Sequence, residues 1–344
     1  MKNVNIAQVE HVYIIAELSA NHNNDLNLAI KTIEEIAKSG ADAVKIQTYT
    51  ADSLALNVDN EYFGPKQDGL WKGRRPYELY QEASLPYEWH PILQKAAVEN
   101  KLDFFSSPFD FEAVNFLHSL DVPKYKIASF EINDIPLIEY AAAKQKPMII
   151  STGLAEYQDI ENAIAACIRQ NNSDITILKC TSNYPSHIKD ANLATMVDMK
   201  NKFGVDVGVS DHTFGHIVPV TATALGASVI EKHYILERSL GGPDSKFSME
   251  PDEFKFMVKS VRETSASIGN ISYDKNEKDL SRRRSLFITK DIKKNELFSS
   301  ENVRSIRPGA GLPPSMITNI IGKAAKHNLL KGEPLKLDDI LDII

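Results

Sequence analysis

Residues 229–236 read VIEKHYIL, an apolar run broken by three ionisable side chains, Glu231, Lys232 and His233. Buried parallel strands are usually apolar almost throughout, because a polar group taken from water without a partner costs free energy. Three in succession are kept only where chemistry or a partner needs them. Strand side chains alternate between faces, so Glu231 and His233 project one way, with Val229, and Lys232 the other. The run is therefore read as a strand whose one face opens on a functional space.

Working outward, seven more short β-branched runs are found upstream: VYIIAEL (12–18), DAVKIQTY (42–49), DFFSSPF (103–109), YKIAS (125–129), PMIIST (147–152), ITILKCT (175–181) and VDVGVSDH (205–212). Segments of helical period lie between them, among them LNLAIKTIEEIAKSG, EAVNFLHSL, IPLIEYAAAKQ, DIENAIAACIRQ and HIVPVTATALGA. Such alternation predicts a parallel sheet covered by helices. With SVIEKHY (228–234) there are eight strand–helix units, the number in a (β/α)8 TIM barrel, which typically takes about 250 residues. A doubly wound open sheet is the competing arrangement.

The 344 residues carry a formal net charge of −7, with 43 % hydrophobic and 25 % charged residues, an ordinary globular composition. No dense Lys/Arg block offers a surface for nucleic acid or an anionic membrane, and Arg282-Arg283-Arg284 is too short to change that. No apolar run approaches the roughly 20 residues that span a bilayer. The N-terminal MKNVNIAQVEHVYII lacks a signal-like segment, and Cys167 and Cys180 are the only cysteines, so a cytoplasmic protein with free thiols is expected.

Polar residues collect at the C-terminal ends of the strands, where barrel enzymes place their sites. They are Glu17, Lys45 and Gln47, Ser106 and Ser107, Ser129 and Glu131, Ser151 and Thr152, Thr181 to Tyr184, Ser210 and His212, and Glu231 and His233. Adjacent strands 7 and 8 would bring His212 and His233 together at the mouth, accompanied by Asp211 and Glu231. Two imidazoles leave open positions, which suits a catalytic metal, and oxygen donors without cysteine favour Mn²⁺ or Mg²⁺ over Zn²⁺, with Co²⁺ also possible. Lys45 needs an anionic partner if buried, either a substrate phosphate or carboxylate or Glu17. Lys126 is a second cation, but alternation sets it opposite Ser129 unless a bulge or strand end intervenes.

IAELSANHN (15–23), GADAVKIQTY, FFSSPFD, YKIAS, ISTG, CTSNYPS, GVSDHT and EKHYIL, with GGPDSKFS and the late RPGAGLPP, together resemble the sialic acid synthase family along nearly the whole chain. Within it the pseudaminic acid branch is most similar, because Glu17-Leu18-Ser19-Ala20-Asn21-His22 replaces the EIGxNH of sialic acid synthases, and Asp244-Ser245 stands where they often have Asp-His. The resemblance implies a metal-dependent barrel that condenses phosphoenolpyruvate with a free amino sugar, here a 2,4-diacetamido-2,4,6-trideoxyhexose, with C–O cleavage and release of phosphate. A small C-terminal antifreeze-like (SAF, β-clip) domain follows. His212 and His233 would bind the metal, and Lys45, Ser107, Lys126, Ser129, Ser151, Ser182 and Ser210 would surround phosphoenolpyruvate. Gln47, Tyr184, Asp244 and Arg307 would face the sugar, with Glu17, Glu131 and Glu231 as catalytic carboxylates. A domain-swapped homodimer is implied, the small domain capping the partner's site. An N-acetylneuraminate or legionaminate synthase, or a non-catalytic carbohydrate-binding protein, are the alternatives.

The expected domains are a barrel over 1–272, a linker over 273–281 and the SAF domain over 282–344. DIKKNELFSSENV (291–303) and NLLKGEPLKLDDI (328–340) form an internal repeat that aligns Lys294 with Lys331, Glu296 with Glu333 and Val303 with Ile340. RPGAGLPP should be an ordered loop, stiffened by proline and permissive at Gly309 and Gly311. The long connection after strand 2, ADSLALNVDNEYFGPKQDGLWKGRRPYELY, is either a lid offering Tyr62, Trp71, Arg74 and Arg75 or an insertion without fixed structure.

Overall fold

The computed structural model describes residues 9–341. Residues 1–8, part of the stretch read as lacking a signal segment, and residues 342–344, at the end of the SAF domain, lie outside the described residues. Two compact units are present, Met1–Asn270 and Ile271–Ile344.

In the first unit, eight parallel strands close into a barrel in sequence order. They are β1 (Tyr13–Glu17), β2 (Ala43–Thr48), β3 (Asp103–Pro108), β4 (Tyr125–Ile127), β5 (Met148–Ser151), β6 (Ile175–Cys180), β7 (Asp206–Asp211) and β8 (Val229–His233). β1 pairs with both β2 and β8, which rules out the open sheet. Every strand lies inside its expected segment. The helix Leu26–Lys38 illustrates the covering layer: Asp25 caps it by accepting from the backbone N–H groups of Asn27 and Leu28, and Ala29, Thr32, Ile33 and Ile36 form its buried stripe. The helix Leu193–Phe203 is missing from the segments read above, because only Met196 and Met199 of it are buried and charged residues blur its period.

Two local features set the directions of the functional side chains. β4 ends at Ile127 and a 3₁₀ turn at Ser129–Glu131 follows, so Lys126 and Ser129 escape the alternation conflict through a strand end. On β7 and β8, Asp211 lies beside Lys232 in register. Both point away from the barrel axis, buried, with Lys232 Nζ 2.5 Å from Asp211 Oδ2 and donating also to the Thr213 carbonyl. Asp211, grouped above with the two histidines, is thus on the opposite face from them. It also accepts from the Thr213 N–H at 2.9 Å, closing the turn after β7. Ser106 is likewise turned outward, bonded to Thr48 and the Ile46 carbonyl.

The second unit has its own core, built from residues such as Leu286, Ile292, Phe298, Val303, Leu329 and Ile340. Its only regular sheet among the described residues is β9 (Ser285–Ile288) antiparallel to β10 (Val303–Ile306). The internal repeat is visible in its hydrogen bonds, which come in matched pairs. Lys294 N–H donates to Asn328 Oδ1 and Lys331 N–H to Asp291 Oδ1, each at 2.8 Å. The N–H groups of Lys293 and Leu330 donate to Glu296 and Glu333, each at 2.9 Å. Ile292 and Leu329 exchange both backbone bonds across the centre. In the RPGAGLPP loop, Gly311 does not use a positive φ; a Cβ there would strike the Leu286 and Leu335 backbone. Residues 277–281, inside the expected linker, form a short helix capped by Asn276.

Removing one member of a buried ion pair leaves the other charge uncompensated, so Asp211→Ala should cost about 3–5 kcal/mol of stability. Denaturant unfolding should show this loss, and a Lys232→Met, Asp211→Leu double variant should lose markedly less.

Candidate active site

The mouth of the barrel has a charged floor. Lys45 Nζ lies 2.6 Å from Glu17 Oε2, 3.8 Å from Glu231 Oε2 and 3.3 Å from Ser107 Oγ. Lys126 Nζ donates to Ser151 Oγ at 2.6 Å and to the Ile127 carbonyl at 3.0 Å, and stands 3.9 Å from Glu231 Oε1. Ser210 donates to that same carboxylate at 2.9 Å. All of these groups are buried. Glu17, the structural alternative for Lys45, is its closest partner here.

Burial drives Glu17 toward neutrality, against the attraction of Lys45, and its carboxyl is pushed up to about 7. Burial also opposes ionisation of Glu231, but Lys126, Lys45 and the Ser210 hydroxyl outweigh it and hold that carboxyl below its usual range. Burial lowers Lys126, with Glu231 resisting, whereas for Lys45 the two glutamates overcome burial and raise it. Lys126 is therefore the cation less well compensated by the protein. An anionic ligand beside it would complete the balance.

Next to Lys126 is a cradle of small donors. Ser129 Oγ accepts from the Gly153 N–H at 3.1 Å. A Cβ on Gly153 would collide with Ser182 Oγ and fall 2.8 Å from Ser129 Oγ and 3.2 Å from Cys180 Sγ. Glycine is thus required by close approach, and the space it leaves is ringed by hydroxyls.

His212 and His233 sit side by side, ring centroids 5.2 Å apart. The Thr181 carbonyl lies 3.1 Å from His212 Nδ1, which places the proton there and leaves Nε2 with a lone pair. His233 Nδ1 is buried without a hydrogen-bond partner, and the nearest carboxylate oxygen, Asp244 Oδ2, is 4.0 Å away. A buried orphan nitrogen beside a second oriented imidazole fits a divalent ion. Among the described residues no cluster of three or more His, Cys, Asp or Glu side chains forms a metal cage.

Above the floor lies a cavity of about 380 Å³, lined by Gln47, Ser129, Glu131, Tyr184, His233 and Asp244 and walled by Tyr49, Trp71, Tyr80, Phe109 and Phe247. Glu131 Oε2 is buried and unpartnered, and burial, opposed by Lys126, pushes its carboxyl up to about 7. The long loop after β2 is ordered: Trp71 Nε1 donates to the Pro243 carbonyl at 3.0 Å and its ring lies 5.8 Å from that of Tyr184. Lys66, which the sequence reading passed over, lines the cavity and stands 5.0 Å over Trp71. Tyr62, Arg74 and Arg75 do not line it. Tyr62 is exposed, Arg74 pairs with Glu82, and Arg75 pairs with Glu78. Arg307 belongs to the second unit, exposed in the loop after β10.

A closed barrel with buried lysines, a histidine pair and a roomy polar cavity at the C-terminal ends of its strands has its polar groups where barrel enzymes place their sites. The chain matches the NeuB family over residues 32–273 and the SAF domain over residues 283–341, and it belongs to the NeuB family. It is 49 % identical to the pseudaminic acid synthase of Campylobacter jejuni subsp. jejuni serotype O:2, over 95 % of this chain and 96 % of that protein. Identity is again 49 % to the pseudaminic acid synthase of Helicobacter pylori, over 95 % of this chain and 97 % of the other. Among solved structures, the N-acetylneuraminic acid synthetase of Leptospira borgpetersenii serovar Hardjo-bovis in complex with citrate superimposes with a TM-score of 0.70 at 32 % identity, covering 81 % of this chain and 92 % of that one.

Gly153→Ala fills the hydroxyl cradle without touching the lysines, so it should weaken phosphoenolpyruvate binding by about tenfold or more while the barrel stays folded. Calorimetric titration with phosphoenolpyruvate and a thermal melt of the same variant test this together.

Proposed function

We propose that the chain is a transferase that condenses phosphoenolpyruvate with a free 2,4-diacetamido-2,4,6-trideoxyhexose of the L-altrose type, giving pseudaminic acid and inorganic phosphate. The observation that carries this reading is the two-lysine, multi-hydroxyl pocket beside a histidine pair, in a chain whose half-identical relatives are pseudaminic acid synthases. Lys45 and Lys126, with Ser107, Ser129, Ser151, Ser182 and Ser210, would hold the phosphate and carboxylate of phosphoenolpyruvate. Gln47, Tyr184 and Asp244 would face the sugar.

His212 and His233 would hold Mn²⁺ or Mg²⁺, with Co²⁺ as a substitute, and the ion would supply Lewis-acid polarisation of the sugar aldehyde. The chain's own groups do the remaining work. The floor orients the enol so that its C3 faces the aldehyde carbon and a C–C bond forms. Water then adds at C2, and the tetrahedral species expels phosphate with cleavage of the C2–O bond. Glu131, poised at about 7, is suited to take the proton from that water or to supply one to the new hydroxyl. Glu17 and Glu231 hold the two lysines in place and keep the empty pocket close to neutral.

The enzyme is also proposed to act as a homodimer in which the small unit of one copy covers the barrel mouth of the other and brings Arg307 to the sugar. Supporting this, Arg307 stands exposed just before a segment pinned by Ser285 Oγ, which accepts from the N–H groups of Ala310 and Gly311 at 3.1 and 2.9 Å. Cys167 and Cys180 are free and buried, in keeping with a reducing compartment, and we place the reaction in the cytoplasm.

Phosphate release from phosphoenolpyruvate should require the diacetamido sugar and stop with a chelator. His212→Ala or His233→Ala should lower turnover by at least on the order of 10²–10³, with the far-ultraviolet circular dichroism unchanged. Release only with N-acetylmannosamine, or with a diacetamido sugar of another configuration, would redirect the reading to a sialic or legionaminic acid synthase. Sugar binding with no release under any metal would favour a carbohydrate-binding protein. The swapped arrangement has its own test by complementation. If Arg307 acts on the partner's barrel, inactive Arg307→Ala and His212→Ala chains should recover activity when co-expressed, since a mixed dimer can contain one intact site.

A further inference from the structure

We infer that Ser19 is a positioning residue that fixes which polar atoms the cavity offers to the sugar, an inference that rests on the function proposed above. Ser19 lies just beyond β1, is 3 % exposed and has φ 50°. That left-handed backbone is disfavoured for any residue with a Cβ, and glycine would take it at no steric cost. Strained conformations of this kind persist where the surroundings hold them and gather at functional sites.

The Ser19 hydroxyl donates to Asp244 Oδ2 and accepts from Gln47 Nε2 at 3.2 Å. The second hydrogen of that amide goes to Glu17 Oε1, also at 3.2 Å. Both N–H groups of Gln47 are therefore committed, which settles the orientation of the amide. Gln47 Oε1 and Asp244 Oδ1 then have no protein donor among the described residues, and both residues line the cavity. The pocket presents two acceptors to its ligand. An acetamido N–H and a hydroxyl of the sugar are donors of the matching kind.

A merely structural role is already filled by neighbours. Asn21 Nδ2 donates to the Tyr234 carbonyl and to Ser248 Oγ, each at 2.8 Å, and Asn23 Nδ2 to the Leu240 carbonyl at 3.0 Å. These bonds tie the loop after β1 to the loop after β8 without help from Ser19. What its hydroxyl adds is the orientation of Asp244 and Gln47. Without it, Gln47 would have a spare N–H, and Asp244 would keep only the long bond from the Ala20 N–H at 3.4 Å to hold it from turning toward His233 Nδ1, 4.0 Å away.

The test is Ser19→Gly, a substitution the backbone accepts. The melting temperature should stay the same or rise, the KM for the diacetamido sugar should increase about tenfold, and the KM for phosphoenolpyruvate should stay within about twofold. In an Asp244→Asn background the same substitution should raise the sugar KM by clearly less than about tenfold, because part of what Ser19 does runs through that carboxylate and the rest through Gln47. An unchanged sugar KM in Ser19→Gly, an equal rise in both KM values, or full additivity with Asp244→Asn would each overturn the inference while leaving the proposed function standing. No phosphate release by the wild type with any amino sugar would instead overturn that function, and this inference with it.

Discussion

The site depends first on the buried pair of Lys232 and Asp211, which faces the helices and not the substrate. Strand periodicity makes the two faces of β7 and β8 inseparable: with Asp211 and Lys232 outside, Ser210, His212, Glu231 and His233 are inside. A slip of one residue in either strand would turn a charge into the packing layer without its partner. A buried ion pair contributes little net stability, since desolvation offsets most of the attraction, but it penalises a wrong register heavily. The polar centre of VIEKHYIL thus serves two purposes. Glu231 and His233 carry chemistry, and Lys232 keeps them aimed.

Inside the barrel, the floor combines strong charges with little room to relax. Lys45, Lys126, Glu17 and Glu231 lie buried together, and each is held by a neighbour: Lys45 by Ser107, Lys126 by Ser151, Glu231 by Ser210 and Glu17 by Gln47. Fixed dipoles and charges of this kind stabilise developing charge without reorganising during the reaction. Their near balance explains how the pocket tolerates burial before an anion arrives. Glu17, driven toward its neutral form, is the member of the set that can release or take up a proton as the ligand's charge enters.

Most of the barrel and much of the floor were legible in the sequence because both follow from alternation. The eight apolar runs, the inward residues Lys45, Gln47, Ser107, Ser151, Ser210 and His212, and the need for a strand end near Lys126 all come from period two and short length. Asp211 was misgrouped because its place next to His212 in sequence outweighed the same parity rule that should have excluded it. The cavity wall was less legible. Tyr49, Phe109 and Phe247 reach it from segments with no fixed period and Tyr80 from the short helix Pro76–Ala83, and of the four residues picked from the long loop only Trp71 lies there, because charge and aromaticity do not encode which way a loop side chain turns. Ser19 was marked only by resemblance, as a serine where EIGxNH has glycine. That exchange hints at a backbone conformation suited to glycine, but ELSANH does not encode the contacts of the serine hydroxyl with Asp244 and Gln47.

The vertical order of the site constrains the order of events. The lysines and Glu231 lie beneath the cavity, whose lining stops at Gln47, Ser129, Glu131, His233 and Asp244. A small dianion can descend to the floor only while that cavity is empty, whereas a sugar seated between the aromatic wall and the acceptor pair would obstruct the passage. On the proposed assignment phosphoenolpyruvate would bind first and the sugar above it, with the enol carbon and the aldehyde facing each other near the two imidazoles. Phosphate formed at the bottom would then leave after the nine-carbon product has cleared the cavity. In that order of events the aromatic wall would govern release as well as binding, and a tighter grip on the sugar would slow the step that frees the floor.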